Sequence, residues 1–232
     1  MKQYRYLLIT FLLCMLYFGV FPNYVKAQNT SIIPDGFGIE IGAGYNQLFW
    51  KARNISGNMT TANRTALSIM PSFRISYESN IYSNISLYSF LGYNEFGGYS
   101  KLGKSISFTD PNVLYKDQIT FKTLDLGLLG LYKYSDFNVG VGVKVNRHLK
   151  IRNRSYYENR PDGQNGWSTN DESFFFGDWS ADAGLRFEYL TPFKIVLGAE
   201  SWFGITNLSN KKYSNDLHIH ENHFRLLVGY RF

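Results

Sequence analysis

Alternation with a period of two residues runs through this chain and limits what it can fold into. It is cleanest at residues 137–146, where Phe137, Val139, Val141, Val143 and Val145 alternate with Asn138, Gly140, Gly142, Lys144 and Asn146. Successive side chains of a strand point to opposite faces, so this segment is a ribbon with one apolar face and one polar or small face. The last residues repeat the pattern: Phe224, Leu226, Val228, Tyr230 and Phe232 stand against Arg225, Leu227, Gly229 and Arg231. Six further segments read the same way, near residues 37–49, 67–77, 81–95, 119–132, 178–189 and 195–205. Three of these carry irregularities. Pro71 removes a ladder donor from the second segment. The third is the least regular, and Ile85, Leu87, Leu91 and Tyr93 are assigned to its apolar face. In the fourth, Ile119 and Phe121 have one parity while Leu124, Leu126 and Leu128 have the other. A bulge near residues 122–124 is expected to repair the register.

No stretch beyond Ala27 is long and apolar enough to span a membrane as a helix. A chain lacking such a helix crosses lipid only as a closed barrel, because unpaired backbone groups in hydrocarbon are too costly. The links between segments alternate in length. Those near 78–80, 134–136 and 190–193 are short, and those near 50–64, 97–117, 152–172 and 207–222 are long. Turns on one side and loops on the other is the construction of outer-membrane barrels, with turns periplasmic and loops extracellular. Aromatics of the apolar parity gather at the turn ends: Phe37, Tyr77, Tyr132, Phe137, Tyr189, Phe193, Tyr230 and Phe232. They form one interfacial girdle. The sequence therefore predicts an all-β fold, an eight-stranded antiparallel up-and-down transmembrane β-barrel in the bacterial outer membrane. Both termini are expected in the periplasm.

The N-terminus has the grammar of a secretory signal. Lys2 and Arg5 precede an apolar run over residues 6–20, and Val25-Lys26-Ala27 supplies small residues for cleavage. Residues 1–27 are thus expected to be a signal peptide and residues 28–232 the barrel domain. The only cysteine, Cys14, falls inside the signal, so no disulfide is expected in the mature chain. Removing the signal takes away Lys2, Arg5 and Lys26 and no acid, which lowers the formal charge from +6 to +3. The basic balance is partly a property of the signal, and nucleic acid is not among the expected partners.

Cost decides which face meets lipid. A Lys or Arg on the lipid face near the midplane costs roughly 2–4 kcal/mol. Turning the frame inside out would expose Arg74, Lys144, Arg186 and Arg225 together with Glu40, Asp182 and Glu200. The charged parity therefore faces inward. It carries Glu40, Arg74, Asp125, Lys144, Asp178, Asp182, Arg186, Glu188, Glu200, Arg225 and Arg231. A barrel of eight strands is just wide enough for its own side chains, and buried charges need partners. The lumen reads as a structural plug of ion pairs, with an ion or proton path as the alternative. An open porin would need about 16 strands.

Motifs for chemistry are sparse. Residues 218–223 read His-Ile-His-Glu-Asn-His. A strand running through them puts His218 and His220 on one face and His223 on the other, so the three converge only if the segment is a loop. No metal and no cofactor is assigned. There is no Gly-x-Ser-x-Gly elbow, phosphate loop or dinucleotide fingerprint. A His-x-Ser pair, carried by outer-membrane lipid A deacylases, is absent as well, although a Ser–His–acid set could assemble from separate segments. The long links carry Lys51, Arg53 and Arg64 in the first, and Arg152, Arg154, Tyr156, Tyr157, Arg160 and Trp167 in the third. Arginine with aromatics suits a binding surface or contact with anionic lipid headgroups.

The signal, the hairpin pattern, the Tyr/Phe/Asn-rich composition and the closing-strand aromatics Phe224, Tyr230 and Phe232 together resemble the small outer-membrane β-barrel proteins of Bacteroidota, the PorT-like group. The likeness covers residues 37–232. It implies an integral, non-enzymatic barrel, an accessory of protein secretion or outer-membrane assembly, with outer-membrane lipid, the barrel-insertion machinery and secretion-system or periplasmic proteins as partners. It carries no functional residue over. Two other readings stand beside it: a standalone surface-binding or adhesion barrel of the OmpX/OmpA kind, and a lipid-modifying outer-membrane enzyme.

Overall fold

The computed structural model describes residues 36–53, 59–99, 103–104, 113–160, 162–170, 175–210 and 217–232. The expected signal peptide lies outside them. Ten strands follow in chain order: β1 Gly36–Arg53, β2 Met59–Tyr82, β3 Ile85–Tyr99, β4 Gly103–Lys104, β5 Leu114–Tyr134, β6 Phe137–Glu158, β7 Gly166–Asn170, β8 Trp179–Leu190, β9 Ile195–Gly204 and β10 Leu217–Arg231. Every pairing is antiparallel. β1 pairs with β2, β2 with β3, β3 with β5, β5 with β6, β6 with β8, β8 with β9 and β9 with β10. β10 returns to β1, from Gly38↔Arg231 to Ala52↔Leu217. The ring of described strands is closed and leaves no free edge, so each of its strands is paired on both sides. The short β4 and β7 lie outside the ring, paired to the loop-side ends of β5 and β6.

The strands run further on the loop side than the alternation alone indicates. The third long link, read as a loop over 152–172, is largely strand: β6 continues to Glu158 and folds back through β7, with Tyr156 opposite Trp167. The first turn also moves. It is at Ser83 and Asn84 rather than 78–80, because a register shift between Asn80 and Tyr82 leaves both Ile81 and Tyr82 on the outer surface. The strand thereby gains Glu78, which points inward. Ser135–Asp136 and 191–194 make the other tight turns, with positive φ at Ser135 (55°) and Lys194 (63°). Pro71 sits where its missing N–H matters least. Between Gly42↔Ser72 and Gly44↔Ser68, three residues of β2 face Ala43 alone, a bulge that contains the proline.

The register irregularity of the fourth segment is resolved differently from the expectation. β5 alternates without interruption, and the extra residue is Leu149 on β6, between Thr123↔His148 and Lys122↔Lys150. Ile119 and Phe121 therefore stay on the interior face with Thr123 and Asp125. Outside, the barrel wears an apolar belt: Ile39, Ile41, Phe73, Ile75, Leu126, Leu128, Val141, Val143, Leu226 and Val228 are all exposed. Belts of this extent are not left to water. Phe37–Tyr77, Phe137–Tyr189 and Tyr230–Phe232 form ring pairs at its turn-side edge, with centroids 5.0, 5.0 and 5.3 Å apart.

Candidate functional site: the filled lumen

The inward parity of eight strands meets in the lumen, and all the charged residues assigned to it are buried except one. Asp178 is the exception. β8 begins at Trp179, so Asp178 lies in the bend before the strand, exposed, where its carbonyl accepts from His148 N at 2.7 Å. The alternation at the strand end cannot tell a first inward residue from a last loop residue.

Nearest the turns is a dense ionic layer. Arg186 on β8 donates to Glu40 on β1 through both terminal nitrogens, at 2.7 and 3.1 Å, and through Nε to Glu188 at 2.7 Å. Arg74 on β2 forks Glu200 on β9 at 2.6 and 2.9 Å. In the ladders, Glu40 is opposite Arg74 and Arg186 is opposite Glu200. Each arginine thus hydrogen-bonds the acid across the lumen rather than its ladder neighbour, and the two forks tie opposite walls together. Arg231 joins Glu188 at 3.2 Å and also Glu78, whose second partner is Lys133 at 2.8 Å. Ser86 donates to Glu78 at 2.6 Å, Asn138 to Glu188 at 2.7 Å and Tyr88 to Glu40 at 2.8 Å. Planar two-point pairing of this kind offsets the desolvation of buried charge.

Packed against it are Tyr88, Phe90, Leu129, Leu131 and Trp202. The Arg186 guanidinium sits 4.5 Å from the Tyr88 ring and that of Arg74 4.2 Å from Phe90. Glycines make the room: a Cβ at Gly127 would run into the Phe90 ring and one at Gly184 into Trp202.

A second polar layer follows towards the loops. Lys144 lies 3.0 Å from Asp182 and 3.5 Å from Asp125. Asn146 donates to Ser180 and Asp182, both at 2.9 Å. His223 places Nδ1 2.7 Å from Asn46 Oδ1 and Nε2 3.0 Å from Glu221. Asp182, Glu221 and His223 each offer a donor atom within 4.8 Å of the others. Their counter-charge is already present in Lys144. His218 is exposed and His220 half-buried, so β10 separates the three histidines of residues 218–223 as its parity requires.

The same layer contains a serine–histidine contact that the sequence could not show. His148 donates from Nδ1 to the Gly177 carbonyl at 2.5 Å and receives Ser180 Oγ at Nε2, 3.2 Å away. Ser180 faces Glu221 equally closely, at 3.2 Å, with a single proton to give. It is buried, with the Phe121 ring 5.2 Å from His148 above it.

An apolar plug closes the loop side: Leu48, Phe96, Ile119, Phe121, Phe176, Leu208 and Ile219. Phe96 stacks on Phe121 at 4.7 Å, and Phe176 meets Phe121 edge-on at 5.1 Å. Two chain segments from the rim supply Phe176 and Leu208, bound to each other by Gly177 N to Leu208 O at 2.8 Å and Asn210 N to Phe175 O at 2.7 Å. This is why Ile119 and Phe121 face inward despite being apolar.

No protein-family model matches the chain, and no curated protein matches it in sequence. Among solved structures it is similar to Ail, the attachment invasion locus protein of Yersinia pestis, in complex with the heparin analogue sucrose octasulfate (14% identity, 86% of this chain and 100% of that one, TM-score 0.40). It is also similar to the outer-membrane protease OmpT of Escherichia coli (13%, 89% and 99%, TM-score 0.43) and to Neisserial surface protein A (13%, 85% and 97%, TM-score 0.36). Likenesses of this size say nothing about activity.

Proposed function

We propose that the chain is a non-enzymatic outer-membrane barrel with a sealed lumen, and that it works by binding a protein partner at its loop-side rim. The observation that carries this is the filling of the interior: two ionic layers and an apolar plug occupy the lumen, so interaction is left to the outside. The rim offers a suitable surface. β6 and β7 carry Tyr156 and Trp167 in ring contact at 5.3 Å, with Arg154 5.8 Å from Trp167 and Arg160 5.2 Å from Tyr157. Aromatic and arginine side chains are the usual anchors of protein interfaces. β7 pairs only with β6 among the described residues, so its second edge can accept an extended segment as an added strand.

A partner in the cell envelope makes the chain an accessory of secretion or assembly, as the PorT-like resemblance implies. A partner outside the cell makes it an adhesion barrel. The deciding experiment is native electrophoresis of the protein extracted from its own outer membrane in mild detergent. Migration in a large complex, lost when residues 159–170 are replaced by an Asn-Gly turn, supports the envelope partner. Migration as a lone barrel turns the reading to an external one. An altered acyl pattern of outer-membrane lipid on overproduction, abolished by Ser180→Ala, would overturn the non-enzymatic reading.

A further inference from the structure

On the outer wall, just above the apolar belt, β5 and β6 hold a basic groove lined by Lys122, Lys150, Arg152 and Arg154 with Glu95, Gln118 and Thr120. From this arrangement we infer that the groove is a binding site for the phosphate of a membrane lipid headgroup. Register produces it. Lys122 is directly opposite Lys150, Thr120 opposite Arg152 and Gln118 opposite Arg154. If Leu149 took a regular place in the ladder, Lys150, Arg152 and Arg154 would face the lumen; because it bulges out of register, they return to the outer face.

The grouping works against the fold. Like charges directly opposite each other in a ladder are destabilising. The one acid lining the groove, Glu95, is taken by Lys122 at 2.7 Å and accepts from Tyr93 at 2.6 Å. Arg154 Nε is buried with no hydrogen-bond partner. A dianion seated among these groups removes the repulsion, and guanidinium and ammonium groups are the donors that phosphate binds best.

Height names the occupant. Lys122 lies ten residues along β5 from Tyr132 in the turn-side girdle. At about 3.4 Å per residue and a tilt of 35–45°, that is about 26 Å along the barrel axis, against an apolar band about 25 Å tall. The last outward residues before the groove are Leu124 on β5 and Leu149 on β6, both exposed. The cations therefore begin at the rim where acyl chains end and headgroups start, and a lipid can lay its chains on the belt while its phosphate enters the groove.

The test uses the full chain in mild detergent, examined by native mass spectrometry with a phosphorylated glucosamine-disaccharide lipid and with the same lipid dephosphorylated. The expected result is one phosphorylated lipid retained about tenfold or more over the dephosphorylated form. Retention should be lost in the Lys150→Gln/Arg152→Gln double variant. Thr120→Glu, which places an acid in the groove without removing a cation, is expected to give the same loss. Equal retention of the two lipids overturns the site, as does full retention by a folded variant. Displacement by millimolar inorganic phosphate would also overturn it, by showing a bare anion site instead of a lipid site.

Discussion

Arg186 shows how a fixed positive charge is accommodated inside a lipid-embedded cylinder. Its three nitrogens meet Glu40 and Glu188, and its flat face meets Tyr88. Removing one member of such a group strands the others, so Arg186→Ala is expected to lose about 3–5 kcal/mol of stability, read as a shift of the urea midpoint in detergent. Replacing a whole pair is gentler. Arg74→Met with Glu200→Leu should cost less than either single change, and a double-mutant cycle in which the two losses simply add would show that the pair is not coupled. Gly184→Ala should cost about 1–3 kcal/mol through overpacking against Trp202, checked in the same unfolding assay. Most of these inward charges were legible in sequence because lipid penalises the opposite parity so heavily. Glu78 was not, since the irregularity at Asn80 hid the true turn, and neither were Glu221 and His223. For them the missing information was that β10 begins as early as Leu217.

The fourth strand shows where pattern reading reaches its limit at the scale of elements. Apolar means outward along the belt, where Leu124, Leu126 and Leu128 lie outside. That rule fails at Ile119 and Phe121, because beyond the belt the outer face meets polar surroundings while the lumen is closed by rings. The polarity of inside and outside exchanges along a single strand, and no local signal marks the crossing. The bulge sits close to the expected place in the ladder but on the other strand. Its ownership has a testable effect. Leu149 is a supernumerary residue, so deleting it straightens the ladder and leaves every other side chain of β6 on its present face. Deleting Val143 from the regular part turns one side of the strand inside out. After refolding in detergent, the Leu149 deletion should keep the compact, heat-modifiable electrophoretic form and the Val143 deletion should lose it. Equal behaviour of the two would mean that the register is not what holds the wall.

For the molecule as a whole, closure into a ring was the most legible feature. Eight alternating segments with turns and loops on opposite sides leave few other ways to satisfy the backbone. How the ring is filled depends on rim segments such as Phe175–Phe176 and Leu208, whose return into the mouth cannot be read from periodicity. Their presence predicts a barrel that carries no current. Reconstituted in a planar bilayer, the chain should leave the conductance at the level of the bare membrane, and a steady open state would contradict the packing. The seam between β1 and β10 has one more consequence. Phe232 N donates to Phe37 O at 2.9 Å, so the two ends of the described chain lie side by side. A circular permutant that joins residue 232 to residue 36 and opens at the Ser135–Asp136 turn would keep every ladder of the ring while changing the order in which its strands are made. If it refolds in vitro and fails to reach the membrane in cells, insertion depends on strand order; if it does both, the order in which the strands are made is irrelevant to the wall they build.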